Sequence, residues 1–255
     1  MFARRFSHSV SAAKSPPANW EIVWSEIAQF RSKYKAPVDT FGCDRLASED
    51  VSTEEYRFQT LVSLMLSPQT RDPVTAEAMR NLQALSCSVD GICGLSEVEI
   101  MDAISNVSFF RRKAEHIRKT ALIIRNSHDG HVPSDLPSLL ALPGVGPKIA
   151  FLTQQVALGI VAGIGVDTHV HRVSNRLGWA TAKSPEATRR QLESWLPPTH
   201  WAPINALLVG FGQTHCTHAT PQCGGCPVAS YCPSNVFGGA INRSAPSVAP
   251  GDIPF

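Results

Sequence analysis

Cys216, Cys223, Cys226 and Cys232 fall in one short segment, separated by six, two and five residues. Four soft thiolates this close can enclose one metal centre. Either tetrahedral zinc or a four-iron cluster satisfies such a donor set, and the chemistry of the thiols alone does not choose between them. Pro227 and Pro233 stiffen the segment, which is too small to build a core of its own and would be stapled by its metal. The other thiols, Cys43, Cys87 and Cys93, are scattered, and the odd total of 7 argues against a secreted disulfide framework.

A second reactive constellation lies upstream, in the segment Leu136-Pro137-Ser138-Leu139-Leu140-Ala141-Leu142-Pro143-Gly144-Val145-Gly146-Pro147-Lys148. Ser134 and Asp135 can cap a short helix starting near Leu136, and Pro143 forbids its continuation. Gly144 and Gly146 permit a tight turn with close backbone approach, and Pro147 suits the first position of a following helix. Backbone amides at that helix start form a ready anion site. A phosphate ligand and a ligand-free connection are equally supported by the spacing. Lys148 sits in the first turn. A free lysine has a pKa near 10.4, so on the order of one in a thousand is neutral and nucleophilic at neutral pH. A helix N-terminus and partial burial both disfavour the ammonium, so the position suits a Schiff-base lysine. On chemistry alone, an exposed lysine touching phosphate is the simpler reading. Asp167, in Gly165-Val166-Asp167-Thr168-His169, precedes a helical pattern and is a good N-cap. Capping is its stronger role taken by itself, and it is compatible with a catalytic one. His169 and His171 are two apart and face different ways on a helix, which disfavours a metal pair.

The elements that must position these residues read as helices. Apolar stripes with helical period run through Trp20–Phe30, Phe58–Met65, Val74–Leu82 and Ala114–Ile124, the last flanked by Arg111, Arg112, Lys113, Arg118 and Lys119. Ser184-Pro185-Glu186 is a helix start, and Trp201 to Val209 reads as another helix. There is no convincing strand pair and no repeat, so the expected class is all-α, with about ten helices at ordinary lengths. Hydrophobic residues make up 43% and charged residues 17% of the 255, which excludes an intrinsically disordered chain. The longest apolar run, Ile149 to Val166, is broken by Thr153, Gln154 and Gln155, against a membrane span. Net charge is only +2. Acids outnumber bases between Phe41 and Ile100 and the order reverses between Met101 and Ala180, so a polyanion would meet a polarised surface. Residues 1–18 are basic and acid-free, with Phe2, Phe6 and Val10 on one helical face, the composition of an organellar targeting segment or a disordered basic tail. Gly238 to Phe255 reads as a flexible tail.

Four motifs in this order resemble the endonuclease III family of helix–hairpin–helix DNA glycosylase/AP lyases, most of all its eukaryotic members. They are Leu61-Val62-Ser63-Leu64-Met65-Leu66-Ser67-Pro68-Gln69-Thr70-Arg71-Asp72, the Leu142 to Lys148 hairpin, Val166 to Val173, and the Cys216 to Cys232 loop. The resemblance spans about residues 20 to 235. It implies two lobes around a DNA cleft: a six-helix barrel at 51–160 with the hairpin, and a discontinuous iron–sulfur lobe at 19–50 and 161–237. It selects a [4Fe-4S] cluster on the four cysteines and assigns Lys148 as nucleophile with Asp167 as its carboxylate partner. It implies that Gln69 fills the space of an extruded base, that Phe109 is a second wedge, and that Gly144, Val145 and Gly146 bind phosphate with help from Lys113. His169 joins the DNA-binding set. The implied activity is removal of oxidised pyrimidines from damaged double-stranded DNA, followed by β-elimination. A monomer in the nucleus and mitochondrion is expected, with no membrane partner; downstream repair proteins are not readable. Pro68, Ser108 and Phe110 depart from the residues usual in the family and bear on opposite-strand contacts. A monofunctional adenine glycosylase relative typically lacks a lysine at 148 and carries a further C-terminal domain, whereas only 23 residues follow Cys232 here. A non-catalytic DNA-binding metal module would give Lys148 no chemical duty.

Overall fold

A computed structural model describes residues 15–235. The N-terminal basic segment, apart from residues 15–18, and the tail at 238–255 lie outside the described residues. Among the described residues there are helices and turns and no strand. In chain order the helices are α1 (Trp20–Lys33), α2 (Pro37–Phe41), α3 (Thr53–Leu66), α4 (Asp72–Leu85), α5 (Val89–Gly94), α6 (Glu97–Ala103), α7 (Phe110–Ser127), α8 (Leu136–Ala141), α9 (Pro147–Leu158), α10 (Thr168–Arg176), α11 (Pro185–Glu193) and α12 (Ile204–Thr214). The apolar stripes of the sequence become α1, α3, α4 and α7, and their inward faces are buried, as Phe58, Leu61, Met79, Ile117 and Ile124 illustrate at 0% exposure. Helices α2, α5 and α6 are too short for a period to register. The last long helix begins at Ile204 rather than Trp201. Pro203 stands at its N-cap, and the residue before a proline is sterically driven out of helical geometry.

Buried side chains gather in two cores. One is built from α3, α4, α7 and α9 with the short helices between them, from Phe58 to Leu152. The other joins α1 and α2 to the chain after Ile164, bringing Val23 and Ile27 against Val170, Leu208 and Phe211. The chain therefore leaves the second core after α2 and returns to it at α10. The α8–α9 hairpin closes the first core and the start of α10 opens the second, so their ends meet at the junction. Among the described residues no helix is long and apolar enough to cross a membrane.

Candidate active site

Asp135 caps α8 through its carboxylate, which accepts the Ser138 N–H at 2.9 Å. The helix ends before Pro143, and the turn is made by Gly144 at φ +80°, where a Cβ would also come within 2.5 Å of His116 Nδ1. Left-handed backbone and a close neighbour both demand glycine there. Val145 buries its side chain in the first core, and its N–H donates to Leu142 O at 3.1 Å. Of the two amides expected to meet phosphate, Val145's is thus engaged in closing the turn. Gly146 caps α9 with open space where a Cβ would stand, and α9 begins Pro147-Lys148-Ile149. The unbonded amides of this first turn define the anion-seeking end.

Lys148 lies second in α9 and its Nζ is 3.5 Å from Ser67 Oγ. A cavity of about 790 Å³ at the junction is lined by Gln69, Gly144, Gly146, Lys148, Asp167 and His169. Lys148 and Asp167, nineteen residues apart and at the starts of α9 and α10, therefore line one cavity. Asp167 caps α10, its Oδ1 accepting the Val170 N–H at 2.8 Å, which fixes the carboxylate's direction. His169 lines the same cavity, and burial lowers its pKa. His171 turns instead to Thr188 Oγ1 at 2.6 Å, so the two histidines diverge.

Three acidic or thiol groups that sequence reasoning did not single out line this cavity too: Cys43, Asp44 and Asp72. Burial raises the pKa of both carboxyls, and the charge of Lys148 opposes that shift at each. Burial likewise raises the Cys43 thiol, against Lys148 and a hydrogen bond to Ser67. Asp72 also feels Asp167 and His169. It is held by Gln213 of α12, whose Nε2 donates at 2.7 Å while its Oε1 accepts the Val38 N–H at 3.0 Å. One side chain from the second core thus fixes an acid of the first. Asp72 closes the Leu61–Asp72 motif and was legible in principle; Gln213 carries no local signal.

Gln69 and Phe109 are both exposed and both left-handed, at φ 56° and 58°. Such backbone costs on the order of 1–2 kcal/mol for a residue with a Cβ. Phe109 is 65% exposed and stands at the N-cap of α7. Lys113, expected at phosphate, is turned onto the Gln69 loop. Its Nζ donates to Leu66 O at 2.5 Å, Pro68 O at 2.7 Å and Thr70 Oγ1 at 3.2 Å, and burial lowers its pKa to about 8.

The four clustered cysteines line a separate cavity of about 210 Å³. Among the described residues no three His, Cys, Asp or Glu side chains converge tightly enough to form a ready ligand set. The donor set nonetheless fits a metal centre. Cys226 is pushed up to about 12 by burial and by its three neighbouring thiols, so deprotonating the group together calls for a cation between them. His215 lines the same cavity with a buried Nε2 that has no protein partner.

The chain matches the HhH-GPD superfamily base excision DNA repair protein family over residues 62–198, the span that holds the hairpin, Lys148 and Asp167. It is 45% identical over 220 residues to the endonuclease III-like protein 1 of Bos taurus, covering 86% of this chain and 72% of that one. The chain belongs to the endonuclease III family. With the mouse protein of the same name the identity is 43% over 86% of this chain and 73% of that one. The fold matches a solved non-covalent endonuclease III–DNA complex with a TM-score of 0.72 at 26% identity, covering 84% of this chain and 94% of the other. As a family member the chain is a base excision repair enzyme of the DNA glycosylase/AP lyase type.

Proposed function

We propose that this enzyme is a bifunctional glycosylase that removes oxidised or ring-saturated pyrimidines, such as thymine glycol, from duplex DNA and then cleaves the strand 3′ to the abasic site. The observation that carries the reading is that Lys148, at the start of α9, and Asp167, at the start of α10, line one and the same cavity. Solved relatives in complex with DNA support a duplex as partner.

A base in a duplex must leave the stack before its glycosidic bond is reachable, at a cost of a few kcal/mol. Gln69 and Phe109, exposed on bends already paid for by the surrounding fold, are placed to fill the gap. Amides of Gly146 and the first turn of α9 hold a phosphate near the lesion. The neutral amine of Lys148 attacks C1′ as the glycosidic bond breaks; the base departs with the bonding electrons and takes up a proton, and the attached nitrogen gives one up. The Asp167 carboxylate stabilises the positive charge that builds on the sugar. The C1′–O4′ bond then breaks, the nitrogen lone pair forming the imine as O4′ takes up a proton and the sugar ring opens. The protonated imine acidifies C2′, loss of that proton expels the 3′ phosphate, and water hydrolyses the remaining imine, freeing Lys148 and leaving an unsaturated aldehyde on the 5′ fragment. Asp167, Asp72 and Asp44 all face the amine's cavity and can relay protons in these steps.

The two cores are read as the two lobes, 51–160 and 19–50 with 161–237, with the cavity as cleft floor. Cys216, Cys223, Cys226 and Cys232 would hold a [4Fe-4S] cluster, which supplies a fixed cross-link for the loop that follows α12. Cys226→Ser is expected to lower the iron content and visible absorbance of the purified protein and to reduce its melting temperature; a colourless, zinc-loaded and fully active wild type contradicts the cluster. Nuclear and mitochondrial residence is proposed from the repair family and the acid-free segment at 1–18. Product analysis on a thymine glycol duplex tests the reaction: base release with a β-elimination end is expected. Base release without a nick indicates a monofunctional enzyme, and binding without release a non-catalytic module.

A further inference from the structure

Lys113 has three ammonium protons and three acceptors, so every donor it owns is committed. A phosphate would have to displace one of them. The acceptors are informative. Leu66 O belongs to the last turn of α3, where carbonyls have no helical partner. Pro68 O and Thr70 Oγ1 flank Gln69 on either side. The loop's own bonds are few: Thr70 N–H to Ser67 O at 3.0 Å and Thr70 Oγ1 to Pro68 O at 3.3 Å, with Pro68 contributing no N–H. From the other side, Lys113 stands in the first turn of α7, its own N–H donating to Phe109 O at 3.0 Å. One residue therefore grips the bend that carries Gln69 through its side chain and the bend that carries Phe109 through its backbone.

We infer that Lys113 is a positioning residue that locks the Gln69 loop to the Phe109 end of α7, so that both exposed side chains enter DNA as one rigid unit. The inference rests on the proposed role of those two residues as wedges. The half-buried position of Lys113 and its three acceptors in the loop fit a side chain held by carbonyls rather than one presented to phosphate.

The test uses the full chain, with thymine glycol duplex carrying 2-aminopurine next to the lesion to report unstacking. Lys113→Met is expected to slow both the fluorescence rise and base release about tenfold, as a small misplacement in a catalytic geometry does. The salt dependence of binding to undamaged duplex is expected to be unchanged, and cleavage of a preformed abasic site in single-stranded DNA to stay within about twofold. Lys113→Arg is expected to recover part of the rate by reaching some of the same carbonyls. Thr70→Val, which removes one acceptor and leaves the ammonium, is expected to shift unstacking in the same direction by a smaller factor. A salt slope reduced by about one with normal unstacking makes Lys113 a phosphate ligand and overturns the inference. Equal losses on duplex and single-stranded substrates overturn it in favour of a general structural role. If Gln69→Ala and Phe109→Ala unstack normally, the wedge reading itself fails; if they do not but Lys113→Met does, only the coupling fails.

Discussion

Lys148→Gln is expected to abolish strand cleavage and to lower single-turnover base release by about a thousandfold or more, while affinity for undamaged duplex changes by no more than about threefold. Glutamine is one bond shorter and keeps a hydrogen-bonding end, but its amide nitrogen has no nucleophilic lone pair, so the covalent route closes while the hairpin keeps its shape. The position tolerates the change locally: Lys148 is second in α9, after Pro147, and among the described residues its side chain makes one hydrogen bond, the 3.5 Å contact with Ser67 Oγ. Loss of one phosphate-range cation would by itself weaken binding and lower the salt slope by about one at most. A variant that still cleaves thymine glycol DNA at a tenth of the normal rate would mean that another amine does the chemistry. The circular dichroism and melting curve of the variant separate this outcome from misfolding.

Asp167→Asn is the second large effect. Asparagine ranks with aspartate as an N-cap, so the bond from Val170 N–H can be kept and stability should change by less than about 1 kcal/mol. What disappears is the negative charge facing the cavity. Removing a fixed electrostatic partner of a developing charge typically costs about a hundredfold to a thousandfold in rate, and that loss is expected in base release. Asp167→Ala should show the same rate loss together with about 1 kcal/mol of destabilisation, because the cap goes as well. If the asparagine variant retains full activity, Asp167 is a cap alone. If both variants fall equally in stability, the capping geometry is wrong.

The local chemistry of this protein was legible because it depends on residues near each other in sequence. Pro143, Gly144 and Pro147 dictate the hairpin through steric rules that need no partner, and the Ser184-Pro185 start and the α3 and α7 stripes follow from the helical period. The presence of Asp167 and Lys148 on the lining of one cavity is different: it depends on α9 ending and the chain crossing to the second core, and only the family resemblance anticipated it. Gln213 was invisible because its role is made of two long-range bonds, to Asp72 and to Val38, and a lone glutamine in a helix has no pattern. The loop contacts of Lys113 were hidden for the same reason. A basic helix flank suggests a solvated, phosphate-facing surface, whereas the carbonyls that occupy its ammonium belong to a loop more than forty residues upstream. Val145 was expected to donate its amide to phosphate, but tight turns close on their own backbone, and its N–H serves that purpose.

The central claim is that the amine at position 148 bonds covalently to the sugar. Borohydride reduction during turnover of a thymine glycol duplex, followed by nuclease digestion and peptide mass mapping, reads that bond at residue resolution. The account predicts a reduced deoxyribose remnant on the peptide containing Lys148 and on no other lysine. A remnant on Lys113, on Lys183 or on the N-terminal amine, or strand cleavage with no adduct at any amine, would contradict it.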